Sequence, residues 1–180
     1  MNSNSKRHLI LFAASTIVKT LGAEKLTLEA VAKEAGISKG GLLHHFPNKQ
    51  ALINAMVEES TNSYFSNINE RAAQTSGAGK WSRAYIEATF VDVNDEHGIE
   101  MNAAIIASLF TNPELLIKLQ TEYSNLQKKI ENDGLDPVLG TIVRLAVDGL
   151  WFSEILRVGD LDSELREKVI QYLTNMTKGD

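Results

Sequence analysis

Apolar residues recur along this 180-residue chain at intervals of three and four, and no stretch alternates apolar and polar residues in the manner of a strand. The spacing predicts an all-α fold of about nine helices. The first runs from about Ser5 to Leu21, with Leu9, Phe12, Ala13, Ile17 and Leu21 on one face and Gly22 ending it. Thr27 is placed to N-cap a second helix whose apolar face is Leu28, Val31, Ala32 and Ala35. Gly36 supplies the left-handed residue that ends it. Ile37 turns inward, and Ser38 caps a short third helix reaching about His45. Phe46-Pro47 interrupts the chain, because the residue before proline is pushed out of the α region. Asn48 then caps a long fourth helix, Lys49 to about Gln74, with Leu52, Met56, Tyr64, Phe65 and Ile68 among its apolar positions.

After the Gly-rich break at 75–79, helices are expected over about 80–93, 99–110, 113–132, 137–157 and 162–176. Asn112-Pro113 and Asp136-Pro137 each pair a capping residue with proline at the first helical position. Asp162 caps the last helix. Two short helices joined by a tight turn over residues 27–49 form a helix-turn-helix, the unit that places its second helix in the DNA major groove. The chain is expected to divide into a helix-turn-helix DNA-binding domain, 1–48, and a helical body, 49–180, for which a regulatory and dimerisation role is expected. The fourth helix, 26 residues at about 1.5 Å each, is long enough to carry displacement between them.

Charge sharpens this division. The net charge of −5 disfavours DNA binding when spread over the whole chain, but residues 1–49 hold seven Lys and Arg against three Glu. The basic segment coincides with the helix-turn-helix. At 43% hydrophobic and 23% charged, the chain can bury a sizeable core. It has no cysteine, which excludes a disulfide framework and thiolate metal sites. No apolar run approaches the ~18 residues of a membrane span, no signal peptide opens the chain, and a cytoplasmic location is expected.

The residues Ala13-Ala14, Gly22, Thr27, Val31-Ala32, Ala35-Gly36-Ile37-Ser38, Gly40, Leu42, His45-Phe46, Lys49 and Leu52 together form a pattern over about 9–55. By that pattern the chain resembles the tetracycline-repressor (TetR) family of bacterial transcription regulators. The segment Arg144-Leu-Ala-Val-Asp-Gly-Leu-Trp151 is similar to one found in a subset of the family. The resemblance implies a ligand-responsive homodimer that represses transcription from a palindromic operator. It also implies phosphate contacts from Thr27 and Lys49. One position departs from the pattern: where the family usually has a tyrosine whose hydroxyl reaches a DNA phosphate, this chain has Leu43, and Gly41 stands where Thr or Ala is common.

The candidate DNA-binding residues are Thr27, Ser38, Lys39, Gly40, Gly41, Leu43, His44 and Lys49. Lys39 can donate to guanine O6 or N7, or to a phosphate, and His44 to a base edge or a phosphate. Adjacent glycines cost roughly 1 kcal/mol each in a helix, so they serve either close approach of backbone to DNA or relief of helix packing. Lys6 and Arg7 are further candidates for backbone or minor-groove contacts. His45 reads as a core histidine.

In the body, Trp81, Tyr85, Phe90, Met101, Phe110, Tyr123, Asp148 and Trp151 are candidates for an effector pocket. The helix over 137–157 is apolar on almost all sides, so one side faces the domain core and another a second copy. Leu139, Val143, Val147 and Leu150, with Leu165, Val169 and Leu173 of the last helix, are expected at that homodimer interface. Arg144 and Asp148, four residues apart, form either an ion pair or a polar handle for a ligand. The Asp95-Glu96-His97 turn with Glu100 reads as solvated rather than metal-binding, and no catalytic constellation, cofactor loop or metal site stands out. Two other readings are a helix-turn-helix regulator without a small-molecule pocket and a helical enzyme with a vestigial head.

Overall fold

The computed structural model describes residues 3–90, 109 and 112–178 of the chain. Among them are eight α-helices, one short 3-10 turn and no strand. The helices are α1 (Ser3–Leu21), α2 (Leu28–Glu34), α3 (Lys39–His45), α4 (Lys49–Gln74), α5 (Lys80–Phe90), α6 (Pro113–Glu131), α7 (Pro137–Leu156) and α8 (Ser163–Met176), with the 3-10 turn at Ala23–Lys25. The helix expected over about 99–110 lies outside the described residues, apart from Leu109. So does the 95–100 acidic turn. Two compact units are present: described residues up to 61 with 109 and 112–116, and described residues 62–90 with 117–178. The division falls inside α4, whose first half contributes Leu52, Ala55 and Met56 to the core of the head.

Local side-chain chemistry sets the head's helix ends. Thr27 Oγ1 accepts the Ala30 N–H at 3.1 Å, and Ser38 Oγ accepts the Gly41 N–H at 3.1 Å. Gly36, at φ 64°, closes α2 while the Ile37 N–H donates back to Ala32 O at 3.0 Å. Asn48 Oδ1 accepts the Ala51 N–H at 2.8 Å and opens α4. The core beneath them joins Ile10, Ala14 and Ile17 of α1 to Val31 and Ala32 of α2 and to Leu42 of α3.

The second unit is held by longer-range contacts. The core joins Phe65 and Ile68 of α4, Tyr85 and Ile86 of α5, Ile130 of α6, and Val143 and Val147 of α7. Gly140 lets α7 approach α6 closely, since a Cβ there would stand 2.8 Å from Ile130 Cγ2. Asp133, only 5% exposed, caps α5 from the α6–α7 loop. Its carboxylate accepts the backbone N–H groups of Trp81 (3.0 Å) and Ser82 (2.9 Å) and the Ser82 hydroxyl (3.1 Å). At the same corner Arg83 donates to Thr177 O at 2.5 Å and Ala78 O at 2.8 Å, fastening the end of α8.

Replacing Asp133 by alanine strands two amide donors and a hydroxyl in a buried corner. Each such group costs on the order of 1 kcal/mol or more, so Asp133→Ala is expected to destabilise the body by about 2–3 kcal/mol in denaturant titrations. A change below about 0.5 kcal/mol, the ordinary range for surface substitutions, would contradict the assigned role.

Candidate nucleic-acid interface

The orientation of α3 follows from two side chains. Leu42 is fully buried and Phe46, just past the helix, is 3% exposed. Burying them contributes roughly 1.5–3 kcal/mol each, enough to offset the two glycines at roughly 1 kcal/mol each. With Leu42 and Phe46 inward, Ser38, Lys39, Gly40, Gly41, Leu43 and His44 are exposed, as are Thr27 and Lys49 at the starts of α2 and α4. All eight candidate DNA-binding residues are thus open to solvent. His45 is half-buried and its ring meets that of His44 edge-on.

Local space separates the two readings of the glycine pair. A Cβ on Gly40 would meet no atom within 4 Å, and one on Gly41 only the cap oxygen of Ser38, at 3.2 Å. Neither glycine relieves packing between helices. What they do provide is a bare strip of backbone beside Lys39 and His44. Leu43 presents an apolar surface, 36% exposed, where a hydroxyl is usual in the family pattern.

Three further contacts shape this surface. Lys39 Nζ donates to Glu29 Oε1, tying the first residue of α3 to α2. That bond is the main reason the Glu29 carboxyl is held below the usual carboxylate range. Arg7 lies with its guanidinium 5.6 Å from the Phe46 ring centroid, so it is drawn onto the edge of the head's core. His8 Nδ1 is 3.1 Å from Glu59 Oε1 of α4. Glu29 escaped the sequence reading because a partner ten residues away, across a turn, leaves no periodic signal.

In the body the structure gathers Tyr85, Tyr123 and Asp148 and adds Tyr64. The Tyr85 hydroxyl donates to Asp148 Oδ1 and lies 3.3 Å from the Tyr123 hydroxyl. Tyr64 hydrogen-bonds Thr89 at 2.7 Å, and its ring stands edge-on to that of Tyr85. Arg144 donates to Asp148 Oδ2 at 2.6 Å and to Gln127 Oε1 at 2.6 Å, so Arg144 and Asp148 form the intrahelical ion pair. Burial pushes the Tyr123 phenol up to about 12, and those of Tyr64 and Tyr85 further in the same direction. All three remain neutral hydrogen-bond donors at physiological pH. Phe90 is buried in the same core. Trp81 carries Lys129 Nζ 4.3 Å from its ring centroid, and Trp151 meets Phe152 edge-on. Met101 and Phe110 lie outside the described residues.

The candidate interface residues are divided by the fold. Val143, Val147, Leu150 and Leu173 belong to the chain's own core and are not available to a partner, while Leu139 and Val169 are half-buried and Leu165 is exposed. A helix apolar on all sides does not disclose which of its faces turns inward. The exposed face of α7 is Val138, Ile142, Leu145, Phe152 and Leu156, with Gly149 among them and Leu165 and Tyr172 exposed on α8. These α7 positions alternate steps of four and three, the spacing of a seam between two helices.

Two family models match separate stretches of the chain. Residues 10–56 match the model described as bacterial regulatory proteins of the tetR family, and residues 79–178 match the tetracyclin repressor-like C-terminal domain. The chain is 24% identical over 169 residues to the HTH-type transcriptional regulator BetI of Vibrio campbellii, covering 88% of this chain and 84% of BetI. It is 23% identical over 111 residues to the nucleoid occlusion factor SlmA of Haemophilus ducreyi, covering 62% of this chain and 55% of SlmA. Among solved structures, a transcriptional regulator from Rhodococcus superposes with a TM-score of 0.72 at 17% identity, covering 95% of each chain. The multidrug binding protein EbrR, solved with ethidium, superposes at 0.65 and 19% identity, covering 96% of this chain and 99% of EbrR. Both share the fold. With a tetR-family head and a matching C-terminal domain that itself spans more than half of the chain, this protein belongs to the tetR family of bacterial transcriptional regulators.

Proposed function

We propose that this regulator is a homodimeric repressor that leaves a palindromic operator when a small molecule binds its body. The observation that carries the DNA half is the division of α3, with Leu42 and Phe46 buried and every candidate contact residue exposed. In this reading 1–48 is the DNA-binding part and 49–180 the regulatory part, with α4 reaching into both. Lys39 and His44 reach base edges. Thr27 and Lys49 bind phosphate: the Thr27 oxygen is committed to its cap, but its hydroxyl proton is free to donate. Backbone at Gly40 and Gly41 comes close to the duplex. Lys6 can supplement these contacts, whereas Arg7 must first leave Phe46.

Dimerisation is assigned to the exposed stripe of α7 with α8. Two copies of the stripe related by a twofold axis bury it against itself, with Gly149 allowing close approach at its centre. A symmetric dimer presents two heads to two half-sites, which is why the operator is expected to be palindromic. The effector is placed at Tyr64, Tyr85, Tyr123 and Asp148, where neutral donors and a paired carboxylate meet an aromatic wall. The multidrug binding protein EbrR, solved with ethidium, is a precedent for a small molecule bound on this fold. Release follows only if the effector binds the DNA-free state more tightly than the bound one. No catalytic step is assigned, and the setting is the cytoplasm.

Four outcomes test these assignments. In gel shifts with duplexes from the DNA flanking its own gene, affinity should fall steeply with salt, the logarithmic slope being about −0.9 per phosphate neutralised; failure to bind any such duplex would remove the operator assignment. Lys49→Ala should weaken binding to all sequences alike and flatten that slope by about one. A change in sequence preference instead would deny Lys49 its phosphate role. Leu145→Glu should convert a dimer to a monomer in sedimentation velocity, and a persistent dimer would place the interface elsewhere. Finally, a compound found by thermal-shift screening should bind more weakly in the presence of operator, by the same factor by which it weakens DNA binding. Equal affinities would refute the allosteric link.

A further inference from the structure

The ion pair between Glu29 and Lys39 is not accounted for by the proposed function. A carboxylate on a surface that meets a polyanion opposes binding, and this one is exposed, with 63% of its side chain open. Its part in holding the head together is small and local: as the acidic residue in the first turn of α2 it favours that helix end by about 0.3–1 kcal/mol. The caps of α2 and α3 are Thr27 and Ser38, and the two helices are joined through Val31, Ala32 and Leu42. Exposed ion pairs contribute little to stability. That local role does not need Lys39, so the consequence of the tie between them is sought in binding.

We propose that Glu29 is a positioning residue that holds the Lys39 ammonium for a guanine edge in the major groove and away from phosphates, raising sequence discrimination at a cost in overall affinity. The inference rests on the reading of α3 as the helix that faces DNA. Lysine is a point charge on a flexible four-carbon stem, and left free it pairs with whichever phosphate is near. Phosphate contacts carry no sequence information, whereas lysine on guanine O6 and N7 does. An ammonium has three donors. With one on Glu29, two remain, matching the two acceptors of guanine. Guanine is neutral and can join the pair without displacing the carboxylate. A phosphate must bring its negative charge against Glu29, whose carboxyl stays ionised at neutral pH.

The test uses the full-length protein and a pool of random-sequence duplexes. Sequences enriched by the wild type are compared with the unselected pool by fluorescence anisotropy across a KCl series. The proteins are the wild type, Glu29→Gln, Lys39→Met and the double variant. Glu29→Gln should bind the unselected pool more tightly and steepen its salt slope by about one, the signature of one added phosphate contact. Its preference for the enriched sequence over the pool should fall by at least about fivefold, the low end of what one lysine–guanine pairing contributes. In the Lys39→Met background the same substitution should leave that preference unchanged. An unaltered preference in Glu29→Gln would overturn the inference. So would an equal loss in the Lys39→Met background, which would show the carboxylate acting on DNA directly. If the wild type enriches nothing and binds no duplex, the DNA-binding reading itself falls, an outcome distinct from the other two. Thermal unfolding should keep all four midpoints within about 4 °C of one another, since both side chains are exposed and a helix-end charge contributes about 1 kcal/mol at most.

Discussion

A seven-residue helix has no stability of its own, because helix nucleation outweighs the few hydrogen bonds that so short a segment makes. The form and direction of α3 therefore depend on burial of Leu42 and Phe46 in the head. Everything the head presents to a partner follows from that constraint. Once those two side chains face inward, Lys39, Gly40, Gly41 and His44 face outward, and a rotation of the helix would lose both. The caps at Thr27 and Ser38 sharpen the geometry by satisfying amide groups that a short helix cannot satisfy internally.

The body is stabilised differently. Its distinctive groups are polar and either buried or half-buried, and each is answered by another part of the chain. Asp133 closes the start of α5 from the α6–α7 loop, and Arg83 secures the carbonyl end of α8. Tyr85, Tyr123, Asp148, Arg144 and Gln127 form one hydrogen-bonded chain across α5, α6 and α7. Buried polar groups are costly when left single, so such a network constrains how its helices are arranged as well as stabilising them. A molecule that enters it must replace the bonds it breaks.

Element boundaries were legible in the sequence to a useful degree. Thr27, Ser38, Asn48, Asp136 and Asp162 each cap the helix predicted from them, and Gly36 adopts the left-handed conformation that ends α2. The division of α3 into buried and exposed residues followed from spacing and the family pattern. The face of α7 did not follow, since Val143, Val147 and Leu150 are as apolar as Val138, Ile142 and Leu145. Glu29 and Asp133 gave no signal either, being single acidic residues in segments where acidic residues are ordinary.

What this sequence determined by itself was local: where helices start and stop, which short helix carries the outward donors, and that the basic segment is the helix-turn-helix. Those features need only a side chain and a backbone group two to four residues apart, a separation that the chain cannot avoid. Tertiary structure alone decided which side of α7 is left exposed, which amides Asp133 serves, and that Lys39 is held by Glu29. In each case the deciding partner lies on another element, 51 residues away for Asp133 and Ser82. Which partner a side chain meets is then set by how the helices pack together, not by the residues beside it in the chain.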